Sequence, residues 1–72
     1  MSLLDDVADR LATKTLDVLD ATGDDAIVDE IVKVIGASST TLEEAYKTAV
    51  RVRRAERRAL EMLARFEPNG TG

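Results

Sequence analysis

Apolar positions recur along this chain at helical spacing in three separate runs. In the first, Leu4, Val7, Ala8, Leu11, Ala12, Val18 and Leu19 return every three or four residues, while Asp5, Asp6, Asp9, Arg10, Lys14 and Asp17 take most positions between them. That alternation predicts an amphipathic helix from about Leu3 to Ala21. Ser2, with Asp5 three residues on, is a natural N-cap for the orphan amides of its first turn. Thr22-Gly23-Asp24 supplies a stop and a restart: Gly23 can take the left-handed conformation that closes a helix, and Asp24 can cap the next.

The second run, Ile27, Val28, Ile31, Val32, Val34 and Ile35, has Asp29, Glu30 and Lys33 outside it. Its β-branched content suits a strand, but the apolar pairs recur every three to four residues rather than every second one, which predicts a helix over about Asp25 to Ile35. Gly36 is expected to end it. After Ala37-Ser38-Ser39, the segment Thr40-Thr41-Leu42-Glu43 matches a capping box and opens a third helix that runs to Phe66, stopped by Pro68. The expected fold is all-α: a single domain over 1–67, in which two shorter helices pack as a hairpin against the proximal part of a long C-terminal helix, with 68–72 a disordered tail.

The third helix carries two opposed stripes. Ala45, Ala49, Val52, Glu56, Ala59, Leu63 and Phe66 form a small and apolar seam, and Lys47, Arg51, Arg54, Arg58, Glu61 and Arg65 a mostly basic one, with Arg57 beside it. At 1.5 Å per residue the third helix spans about 40 Å, against about 28 Å and about 17 Å for the other two. Neither short helix can cover it end to end, so Ala55, Ala59, Met62, Leu63 and Phe66 are candidates for surface without an intrachain partner. Contiguous exposed apolar surface on a small domain marks an interface.

Composition narrows the chemistry. The 72 residues contain no cysteine and no histidine, which removes disulfides, thiolate and imidazole metal sites, and histidine general acid–base catalysis. The aspartates follow no calcium-loop spacing. The hydroxyls of Ser38, Ser39, Thr40 and Thr41 have no histidine to activate them, so helix capping is their expected role. With one Tyr, one Phe and no Trp, the core must be aliphatic, and aromatic stacking platforms for bases are lacking. The expectation is a non-enzyme with no metal, no cofactor and no small-molecule substrate. No run reaches a membrane span, and Met1-Ser2-Leu3-Leu4-Asp5-Asp6 is acidic rather than a basic signal sequence, so a cytoplasmic location without membrane association is expected.

The net charge of −4 hides an asymmetry: residues 1–45 hold eleven acids against three bases, a balance of −8, and residues 46–72 three acids against seven bases, a balance of +4. Such a split can close within the chain, pair head to tail between chains, or meet an acidic partner. Arg53 and Glu56, three positions apart at the margin of the apolar seam, can form an ion pair that is either a marginal salt bridge or a polar device fixing register and partner choice.

The stretch Val28 to Ala45, with its short amphipathic helix, Gly36 at the turn, a Ser/Thr-rich lead and apolar Leu42 and Ala45 in the following helix, resembles a helix-turn-helix motif. The resemblance implies a DNA-binding regulatory or packaging protein using the basic third helix. Two residues depart from it: Val32 stands where the motif has a small alanine, and Glu43 and Glu44 would face phosphates. The leading expectation is instead a protein-interaction module, an adaptor, inhibitor or accessory subunit. It would bind a protein partner or a second copy through Val52, Ala55, Ala59, Met62, Leu63 and Phe66. Lys47, Arg51, Arg54, Arg58 and Arg65 would set orientation, and Arg53 and Glu56 specificity.

Overall fold

The structure, a computed structural model, describes residues 2–68. It is all helical: α1 (Leu3–Thr22), α2 (Ala26–Ser38) and α3 (Thr40–Phe66). From Asn69 on, the expected disordered tail lies outside the described residues.

The first boundary follows the local chemistry of the sequence. Ser2 Oγ accepts the Asp5 amide at 3.1 Å. Gly23 closes α1 at φ 71°, its amide donating to the Leu19 carbonyl at 2.7 Å. Asp24 Oδ1 then accepts the Ala26 amide at 3.0 Å, opening α2.

The second boundary does not. Gly36 does not end α2, which continues to Ser38, and Ser39 alone separates α2 from α3. Its amide donates to the Ile35 carbonyl at 2.8 Å and its Oγ accepts the Leu42 amide at 3.0 Å, so one extended residue closes one helix and caps the next. The cap expected at Thr40 is therefore displaced by one residue to Ser39. Glu43 does not complete a capping box. Its carboxylate lies over Gly36, where a Cβ would collide with it, and pairs with Lys47 at 3.2 Å. Gly36 provides space for a side chain of α3 rather than a stop.

Both short helices pack against α3, and their contact with each other is the smallest of the three. Leu4 and Val7 of α1 lie with Ser39 and Leu42 at one end, and Asp20 lies with Arg57 at the other, so α1 and α3 run in the same sense with α2 returning between them. The core is small: Ala8, Ala12 and Leu16 of α1, Ile35 of α2, and Tyr46 and Val50 of α3, ringed by Leu11, Val28, Ile31, Val32, Leu42 and Ala49. Alanines on α1 let the axes approach closely, and Tyr46, fully buried, fills the space between them.

One expected face, that of α2, is corrected. On α3 the core face is Leu42, Tyr46, Ala49 and Val50. It shares Ala49 with the seam read from sequence and otherwise lies one position round from it. Tyr46, which falls on neither stripe of the sequence pattern, is its centre. On α2, Val34 is 69% exposed, because it stands one residue, about 100°, round from the buried Ile35.

The radius of gyration, 14.4 Å, exceeds the roughly 11 Å expected of a compact chain of this length. The excess comes from α3, whose last turns outrun α1: from Arg58 to Phe66 every residue except Ala64 is exposed. No helix among the described residues is long and apolar enough to cross a membrane.

Candidate functional site

The projecting part of α3 is built from two surfaces set by helical periodicity. Side chains at Tyr46, Val50, Arg53 and Arg57 point toward α1 and α2. At 100° per residue, Val52, Ala55, Ala59, Met62 and Phe66 fall on the opposite side. Leu63 borders them. All six residues proposed from sequence as an apolar contact set are exposed. Val52 is 60%, Leu63 58% and Phe66 75% exposed, and Leu60, which the sequence reading left out, joins them at 57%. Leu60 continues the core-facing row of Leu42 and Arg53 beyond the point where α1 ends. It lies off the seam read from sequence, and the packing of α1 and α2 leaves it uncovered.

The basic side chains divide into two groups. Arg53 makes a two-pronged contact with Asp9, Nε to Oδ1 at 2.7 Å and Nη2 to Oδ2 at 2.6 Å, and reaches Glu56 Oε1 with Nη1 at 3.1 Å. The Arg53–Glu56 pair expected from sequence is present. The partner that sequence spacing could not supply is Asp9, 44 positions away. This fork geometry favours the ionised carboxylate, and the hydrogen bonds from Arg53 hold the Asp9 carboxyl below its ordinary value, against partial desolvation that pushes it up. The same bonds, from Asp9 first and Glu56 second, push the Arg53 guanidinium further up.

Arg57 pairs with Asp20 at 2.6 Å and approaches Asp17 at 3.8 Å. Arg54, expected on a free outer stripe, instead reaches Asp25 at 3.4 Å, and Lys47 is held by Glu43 and Glu44 on its own helix. The charge asymmetry of the chain is thus partly closed within the fold, acidic α1 and the α1–α2 turn against α3. Arg51, Arg58 and Arg65 are left exposed, with no ion pair among the described residues. They lie seven residues apart along one edge of the apolar stripe, and Glu56 lies on the other edge.

Compared with known proteins, the chain matches no family model, no curated protein and no solved structure.

Proposed function

We propose that this chain is a non-enzymatic protein-interaction module that docks a helix of another chain along the exposed face of α3. The observation that carries this reading is the apolar stripe from Val52 to Phe66. It lies outside the core, along a helix that projects past its own bundle, and a row of arginines without ion pairs borders one side of it. Apolar side chains held in water at this density cost free energy that a partner's matching face would recover. Arg51, Arg58 and Arg65 would set the encounter and its orientation more than its strength.

Capture of partners by tagged wild-type and Leu63→Asp chains, with and without nuclease, tests the proposal. Leu63 is exposed, so the substitution leaves the fold intact by circular dichroism and is expected to abolish capture. Arg58→Ala should mainly slow association and weaken its salt dependence, whereas Arg54→Ala, whose side chain is already engaged by Asp25, should do less. Undiminished capture by folded Leu63→Asp would falsify the module. Capture that disappears on nuclease treatment would assign the arginines to nucleic acid instead.

A further inference from the structure

Resting on that reading, we infer that the helix docked on α3 is α3 of a second copy, lying parallel to the first. The stripe has the three-four alternation of a coiled-coil seam: Val52, Ala59 and Phe66 at one core position, Ala55 and Met62 at the other. Ala45 and Thr48 extend the same register toward the start of the helix. In that register Arg51, Arg58 and Arg65 occupy the flanking position just before each core residue of the first set, and Glu56 and Leu63 the flanking position just after each core residue of the second.

Flanking charges decide orientation. In a parallel pair each leading flank faces the trailing flank five residues later on the other chain. Arg51 of one copy then meets Glu56 of the other, twice by symmetry, and the Arg58 stem lies against Leu63. An antiparallel pair sets leading flank against leading flank, so Arg51 faces Arg65 and Arg58 faces Arg58, which repels. Glu56 is available for the contact: it binds Arg53 through Oε1 and its side chain is 52% exposed.

The tertiary structure leaves this approach open. α1 and α2 cover the side of α3 that holds Tyr46, Val50 and Arg53, and the opposite side is free where both helices flank it as well as beyond them. Alanines at two of the five seam positions allow close axes but bury little area. The interface therefore falls at the small end of specific complexes, and the dimer is weak and reversible.

The test is sedimentation equilibrium of the 72-residue chain from micromolar to millimolar loading. A monomer–dimer equilibrium is expected, with Met62→Asp monomeric throughout. Arg51→Glu, which turns each intermolecular attraction into a repulsion, should weaken the dimer roughly tenfold. Because the native chain has no cysteine, Val52→Cys gives an independent readout of orientation. Parallel helices bring the two introduced thiols together and mild oxidant should cross-link them, whereas the antiparallel register that sets Arg58 against Arg58 holds them about 18 Å apart along the axis.

A monomer at every loading overturns the inference. So does a dimer indifferent to Met62→Asp, a dimer tightened by Arg51→Glu, or a Val52→Cys dimer that does not cross-link. A monomer that still captures a foreign protein through Leu63 would end the self-association and leave the interaction module standing.

Discussion

Tyr46 is the residue on which the core depends most. Thr15 Oγ1 donates to the Leu11 carbonyl at 2.7 Å and lies 2.8 Å from the Tyr46 hydroxyl. A threonine has one proton to give, so the tyrosine donates and the threonine accepts. This chain of bonds leaves no buried side-chain polar atom without a partner among the described residues. Tyr46→Phe should therefore cost about 1 kcal/mol in denaturant unfolding, and the double variant Tyr46→Phe/Thr15→Val less than the sum of the singles, because it removes both partners. Asp9 adds a pH dependence. Arg53 lowers its pKa in the folded state, so its contribution is full above the unfolded value of about 4 and is lost as the pH falls through the folded value. Replacing Asp9 with Asn should lower stability at neutral pH and flatten the acid limb of a stability–pH curve. An unchanged acid limb would assign that sensitivity to other carboxylates.

At the scale of the elements, the two helix junctions use glycine for different reasons. Gly23 holds a left-handed φ of 71° with open space where a side chain would stand. Gly23→Ala should then cost about 1 kcal/mol through backbone conformation alone. Gly36 is helical, and its missing Cβ accommodates the Glu43 carboxylate. Alanine there gains about 1 kcal/mol of helix propensity but must displace a side chain that pairs with Lys47. The Gly36→Ala variant should be nearly neutral, and the same change in a Glu43→Ala background should recover the full gain. Equal effects in the two backgrounds, read from denaturation midpoints, would mean that Gly36 and Glu43 do not interact.

For the whole molecule, the mismatch between helix lengths dominates. The bundle covers α3 on one side as far as about Arg57, and the remaining turns have only their own hydrogen bonds to hold them. In dilute solution, amides of α3 up to Arg57 should exchange at the rate set by global unfolding, and those from Leu60 to Phe66 much faster. Uniform protection along α3 would show that the projecting turns are held by more than the bundle. The same geometry separates stability from association: Met62 and Leu63 contact solvent, so their replacement by polar residues should leave the melting temperature nearly unchanged, whereas Val50→Ala, in the core, should lower stability by about 1 to 3 kcal/mol.

Local chemistry in the sequence was enough to determine the helical class, the number of helices, the Ser2 and Gly23 caps and the span of α3, and it marked Val52, Ala55, Ala59, Met62, Leu63 and Phe66 as candidate contact residues. Periodicity and capping act within a few residues, so a linear reading captures them. What needed the tertiary structure was everything that depends on distant residues sharing space. Gly36 looked like a terminator until Glu43 was seen to occupy the space above it. Tyr46 belonged to neither stripe because its row, Leu42, Tyr46, Ala49 and Val50, runs between them and becomes the core only where α1 and α2 pack on it. Arg54 looked free, and Arg53 committed only to Glu56, because Asp25 and Asp9 come near through the return of α2 and the parallel course of α1. Periodicity identified which residues of α3 are apolar. Only the packing of α1 and α2 determined which of them became core and which were left facing water.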